Sequence, residues 1–247
     1  MISERFSSLC QEDAVMYQND GDGIGTYNEK RFHRIFKRLV TEDASCYEAK
    51  IGKYVADVFC DGHITEIQTA NYGKLTPKIR YYLEETDYTV SVVLPLVSSK
   101  KIIRADKETG EVQYARRSPK SARETDAFKH LYYLRELIPN ERLRVHIALV
   151  SVEEYRFSDK QRYRREGKYD NDVRPIALEK EVVLKGTDDY RRFVPEELKN
   201  EEFDAKLFSS LTKLRGRALY STLNTLHALG ILSRRENGKR YVYKVSL

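Results

Sequence analysis

Two carboxylates and a carboxamide, Asp57, Glu66 and Gln68, fall within YVADVFCDGHITEIQTA, a stretch of alternating apolar and polar residues. Residues two apart on a β-strand share a face, so Glu66 and Gln68 point the same way. Asp57 lies on the preceding strand, across the Asp61-Gly62 hairpin signal, close enough in an antiparallel pair to approach Glu66. Each acid sits among apolar neighbours, Val55, Val58 and Phe59 for one and Ile64 and Ile67 for the other, and an unpaired buried carboxylate is costly. A divalent cation would relieve that cost. Mg²⁺ (or Mn²⁺) takes one or two carboxylates with waters and a phosphate oxygen, which suits a phosphodiester site better than a closed protein cage. The plainer alternative leaves either acid facing water on the open side of a hairpin.

The elements that must position these groups follow from periodicity. Thr26-Tyr27-Asn28-Glu29 has the capping-box pattern, in which Thr26 accepts from the first turn and Glu29 bonds back to the cap. Tyr27, Phe32, Ile35, Phe36 and Leu39 then recur at helical spacing, predicting a helix over about 27–40. Runs 46–52, 54–60 and 63–70 read as an antiparallel meander broken by Gly52-Lys53 and Asp61-Gly62. Leu75, Ile79, Tyr82 and Leu83 predict a second amphipathic helix over 74–85, and 89–97 is a buried strand interrupted by Pro95. The order is α-β-β-β-α-β. Further on, 101–105 and 111–115 flank a turn, 122–138 reads as a helix and 143–152 as a strand. Residues 156–175, charged and Tyr-rich, read as an exposed loop, and 176–184 as a strand that could return to either domain. The polar first twenty residues, and the glycines Gly21, Gly23 and Gly25, read as a flexible lead into the first helix. A phosphate-binding glycine loop would follow a buried strand, and none precedes these.

This order, with Asp57 on the second strand and Glu66-Ile67-Gln68 on the third, resembles the PD-(D/E)xK nuclease superfamily. More closely, GTYNEK, YVADVFCDGHITEIQTANYGKL and the apolar strand after them resemble an uncharacterised bacterial group of restriction-endonuclease-like proteins. The likeness covers about residues 25–97 well and the rest more loosely. It implies a restriction-endonuclease-like α/β fold in which Asp57 and Glu66 bind Mg²⁺, and Gln68 stands where a lysine would help to activate water. Glutamine cannot supply a positive charge, so that step would fall to the metal or to another base. The resemblance also puts a first-helix glutamate at Glu29, in competition with its capping role. Glu48 and Lys50 could enter the site from the first strand or form an edge salt bridge. Lys74 and Lys78 could replace the missing lysine or simply be solvated. His63, at the hairpin turn, reads as a surface residue.

The C-terminal part has a different pattern. Phe203, Leu207, Phe208, Leu211 and Leu214 form one apolar helical stripe, and Leu219, Leu223, Leu226 and Leu229 a second after Arg215-Gly216, which is helix-turn-helix spacing. Gly230 ends the second helix, and Glu236-Asn237-Gly238-Lys239 makes a hairpin. The whole resembles a winged helix. Outward positions Arg217, Tyr220, Ser221 and Asn224 would meet bases or phosphates of DNA, with Arg234, Arg235, Lys239 and Arg240 on the wing. A winged helix used for protein contacts is the alternative.

The net charge of +6 favours a polyanionic partner, and residues 201–247 hold nine Lys/Arg against four Asp/Glu. No run approaches the roughly 20 apolar residues that cross a bilayer, and the N-terminus lacks a signal-peptide apolar region, so a cytoplasmic protein without membrane contact is expected. Cys10, Cys46 and Cys60, odd in number and without CxxC spacing, read as buried reduced thiols. The expected organisation is an α/β domain over 1–155, a basic bridging segment over 156–200 and a winged-helix domain over 201–247. The function that follows is a metal-dependent DNA nuclease, or else a catalytically silent, nuclease-like DNA-binding regulator. Self-association into a homodimer is left open.

Overall fold

Alternating side chains and two tight turns build the meander: β1 (Tyr47–Ile51), β2 (Tyr54–Cys60) and β3 (His63–Ile67) pair antiparallel in sequence order. A computed structural model of the chain describes residues 2–16, 24–69, 72–106, 109–158, 170–238 and 240–246. Between β2 and β3, Asp61 (φ 47°) and Gly62 (φ 74°) both adopt the left-handed conformation that a two-residue hairpin turn of this hand demands. Helix α3 (Tyr72–Glu85) carries the chain to β4 (Thr89–Asp106), parallel to β3. β4 also runs parallel to β6 (Leu143–Ser158), which pairs antiparallel with β7 (Asp170–Lys185). The sheet order is β1-β2-β3-β4-β6-β7, and β5 (Val112–Arg117) pairs with the far half of β4, along the edge that β3 leaves free. Pro95 lies where β3 has ended, so its missing N–H breaks no ladder there.

Helices cover both faces of this mixed α/β fold. α1 (Ile2–Met16) and α2 (Ile24–Val40) bury Phe6, Ile35 and Phe36 against Ile67, Val93 and Val150. On the other face α3 and α4 (Phe128–Leu134) bury Ile79 and Leu131 against Ile64, Val92 and Val145. Adjacent Val92 and Val93 go to different cores, as strand alternation requires. No described helix is long and apolar enough to cross a membrane.

The C-terminal unit comprises β8 (Phe203–Asp204), α5 (Ala205–Thr212), α6 (Gly216–Ala228), β9 (Leu232–Asn237) and β10 (Arg240–Val245), with sheet order β8-β10-β9. Asp204 caps α5, its Oδ1 accepting from the Leu207 amide at 2.8 Å. Phe203, Phe208, Leu223 and Tyr243 belong to the same continuous core as Leu131 and Val182.

Several sequence expectations need correction. The first residues form a helix, α1, whose buried stripe of Phe6, Leu9, Cys10 and Asp13 is thin enough to read as polar. Burial of Phe6 and Leu9, at about 1.5–3 kcal/mol each, and the ion pairs of Asp13 with Arg31 and Arg34 help to seat it. α2 begins at Ile24, so Thr26 lies inside the helix and is not its cap. The helix expected over 122–138 is a 3-10 turn, Glu124–Ala127, followed by the seven-residue α4. β6 and β7 take both ends of the expected 156–175 loop, whose residues 159–169 lie outside the described ones, as do 17–23 with two of the three glycines. β7 also claims 176–184 for the large sheet. Cys46 and Cys60 form a disulfide with Cα atoms 5.5 Å apart, because antiparallel pairing brings the start of β1 to the end of β2. Cys10 is free and buried, and burial pushes its thiol up to about 12.

Candidate active site

β2 and β3 pair as far as Val58 and Thr65. Just beyond, the Asp57 carboxylate takes over as acceptor, its Oδ2 receiving the Ile67 amide at 2.8 Å. From α2, His33 and Lys37 stand one turn apart and both reach Asp57, with His33 Nδ1 3.5 Å and Lys37 Nζ 3.9 Å from Oδ1. Lys37 also pairs with Glu48 of β1. Burial raises the Asp57 pKa, but His33, the Ile67 amide and Lys37 together hold it below the usual carboxylate range. His33 Nε2 is buried with no hydrogen-bond partner.

Glu66 is 2% exposed and held from the opposite face by α3. Lys78 Nζ lies 2.6 Å from its Oε2, and the Tyr82 hydroxyl donates to Oε1 at 3.2 Å. Burial, and then the negative charge of Asp57, push the Glu66 carboxyl up to about 7, more than Lys78 and Tyr82 pull it down. Asp57 thus adds to the charge felt by Glu66 where β2 and β3 part. However, α2 holds Asp57 and α3 holds Glu66 from opposite faces of the sheet, so the two carboxylates are not gathered on one face as expected from the hairpin pairing.

Gln68 continues the strand, its amide donating to Val93 O at 2.9 Å, and by alternation it falls on the Glu66 side. Glu29 belongs to α2, one turn before His33, and its side chain lies outside the described residues. Lys78, for which solvation was the plainer expectation, is drawn onto Glu66. His33 and Lys37 were missed altogether; the signal was their i, i+4 spacing on the polar edge of the α2 stripe. His63 is half-buried rather than a surface residue, with Nδ1 2.6 Å from Thr89 Oγ1 at the far end of β3 from Glu66. No cluster of three or more His, Cys, Asp or Glu residues suited to a metal occurs among the described residues. A cation here would rest on the Asp57–Glu66 pair and solvent oxygens, which is within the habit of Mg²⁺.

On α6, Tyr220 is exposed and Arg217 donates to the Tyr133 hydroxyl of α4 at 2.8 Å. Ser221 is only 8% exposed, because it turns toward the core side of the helix, so it is not an outward contact as expected. Asn224 Oδ1 accepts from Arg234 at 3.0 Å, and the Arg234 guanidinium lies 4.5 Å from the Tyr241 ring centre. Arg235 pairs with Glu202 at 2.7 Å, and Arg240 stands 4.0 Å from Asp204. Lys239 lies outside the described residues.

Residues 30–185 match a family model described as "Domain of unknown function (DUF8091)", a span that contains Asp57, Glu66 and Lys78 and ends with β7. An "Uncharacterized protein" of Treponema pallidum (strain Nichols) is 29% identical over 168 residues, which is 66% of this chain and 66% of that one. No solved structure gives a significant match.

Proposed function

We propose, from the premise that the chain belongs to the family described as Domain of unknown function (DUF8091), that it is a divalent-metal-dependent nuclease acting on DNA. The observation that carries this reading is the buried pair Asp57 and Glu66 with the Lys78 ammonium on the second acid. The order α2-β1-β2-β3-α3-β4 supports a restriction-endonuclease-like core, and β8-α5-α6-β9-β10 supports a winged helix. Lys78 gives the site the positive charge that Gln68 lacks in the superfamily pattern.

The donor set fits Mg²⁺ or Mn²⁺: two carboxylates, hard oxygen donors, with Glu66 left short of positive charge by its burial first and by the charge of Asp57 second. Such an ion would polarise a phosphoryl oxygen and make bound water more acidic. The chain's own groups do the rest. Tyr82 and Lys78 orient Glu66, the Ile67 amide and His33 orient Asp57, and Lys78 offers a cation to charge developing on a phosphate. Tyr220, Arg217 and Arg234 are the side chains best suited to hold duplex DNA, since Arg235 and Arg240 are partly neutralised by acids.

One observation favours a silent, DNA-binding regulator instead: the Lys78–Glu66 ion pair already supplies a counter-charge without metal. Cleavage of plasmid and single-stranded DNA with Mg²⁺ or Mn²⁺ separates the two. A nuclease loses cleavage on Asp57→Asn or Glu66→Gln with DNA binding retained, loses on the order of a hundredfold on Lys78→Ala, and keeps or gains activity on Gln68→Lys. Inactivity of both wild type and Gln68→Lys with either ion makes the regulator the better account.

A further inference from the structure

The strand β5 has all six residues exposed, lies on an open edge of the sheet and carries Arg116 and Arg117. Arg117 stands directly across from Lys101, an arrangement of like charges that costs stability in an antiparallel pair. Lys101 is matched by Glu153 at 3.0 Å. Among the described residues neither Arg116 nor Arg117 has an acidic partner, and the same holds for Lys120, Lys213 and Arg215.

After β5 the chain turns back along the same edge of β4, with the Ser118 amide on Lys100 O at 2.8 Å and the Ala122 amide on Val97 O at 3.0 Å. Arg123 then reaches the C-terminal unit, its Nη1 donating to Thr212 O at 3.2 Å, next to exposed Lys213 and Arg215. In the other direction β3 ends with Ile67 paired to Val93. At about 3.3 Å per residue, Ala122 is about 13 Å and Arg117 about 26 Å along β4 from the carboxylate end of β3. These cations thus follow the β4 edge, Arg116 and Arg117 flanking it on its two sides, and lead by way of Arg123 to the turn between α5 and α6, starting about 13 Å beyond the carboxylate end of β3.

We infer that this basic edge, Arg116, Arg117, Lys120 and Arg123 continued by Lys213 and Arg215, is a track for a nucleic-acid phosphodiester backbone, running from the helix-turn-helix unit along the part of β4 that extends beyond the carboxylate end of β3. The inference rests on the nuclease reading for its direction, and it names the surface that would deliver substrate to the carboxylates. Phosphates spaced along a strand match a line of cations better than a compact acidic protein patch does, and guanidinium groups can grip phosphate in a bidentate fork.

The test is the salt dependence of binding of a labelled DNA duplex and of its single strand to the full chain, for wild type, Arg116→Glu/Arg117→Glu and Arg116→Lys/Arg117→Lys. Both positions are exposed, and charge of either sign keeps the strand edge from pairing with another chain, so circular dichroism and oligomeric state should not change. The Glu variant is expected to bind more weakly, with its log–log salt slope on duplex smaller by about 1.8, since each phosphate contact contributes about 0.9. The Lys variant should keep the slope. A third variant, Arg217→Ala/Arg234→Ala, reports on the helix-turn-helix contacts alone. Unchanged affinity and slope in the Glu variant, with loss in this third variant, would overturn the track and leave the nuclease reading standing. Failure of wild type to bind either form of DNA would overturn both.

Discussion

The buried carboxyl of Glu66, 2% exposed, makes folding stability depend on pH. In the folded chain it holds its proton up to about 7, against an ordinary value of 4.5. Between those values the native state binds more protons than the unfolded chain, so stability falls as pH rises and the loss is complete above about 7. At about 1.4 kcal/mol per pH unit the cost is about 3 kcal/mol. Asp57 acts with the opposite sign in a lower window: its support is present above the usual carboxylate range and is lost on acidification below it. Denaturant unfolding of the metal-free protein from about pH 5 to about pH 8 should therefore show falling stability, flattened by Glu66→Gln. A variant profile as steep as wild type would assign the slope elsewhere. Glu66 and Gln68 could be read onto one strand face because alternation is local, whereas the surroundings of Asp57 could not, since they depend on how β2 and β3 part and on α2. His33 and Lys37 were not legible, and Lys78 only as one of two readings, because each meets its carboxylate only once a helix has docked on the sheet.

Among the elements, the meander and α3 could be read directly, since alternation, the Asp61-Gly62 turn and the Leu75-Ile79-Tyr82 stripe agree with the tertiary structure. The failures have physical causes. α1 buries so few apolar residues that its periodicity is lost among charges, and Asp13, which is buried, finds Arg31 and Arg34 only across the helix pair. α4 is short because the chain needs only one turn or two to present Phe128, Leu131 and Leu134 to the core. The start of β7, up to residue 175, looked like loop because it is charged, yet Asp172 pairs with Arg31 and Arg174, and the Arg31 contact is invisible without the α2 packing. The Cys46–Cys60 bridge depends on β1–β2 register rather than on any spacing motif.

At the scale of the whole molecule, one hydrophobic core runs from the α3–α4 face of the sheet into the C-terminal helices. Phe208, fully buried there, packs in the same cluster as Phe128 and Val182, so the parts should melt together. Calorimetry is expected to give a single transition with equal calorimetric and van't Hoff enthalpies, and Phe208→Ala, at about 3–5 kcal/mol, should lower its one midpoint. Two separate transitions, with only one moved by the substitution, would show two independent units instead. The nuclease reading itself depends on whether the folded chain holds a divalent ion between its two acids. Titration of the full chain with Mn²⁺, followed by calorimetry, tests this without any substrate. Metal binding in wild type that is lost in Asp57→Asn and in Glu66→Gln, both still folded, is the expected result; absence of binding in wild type, or binding untouched by either substitution, would contradict it.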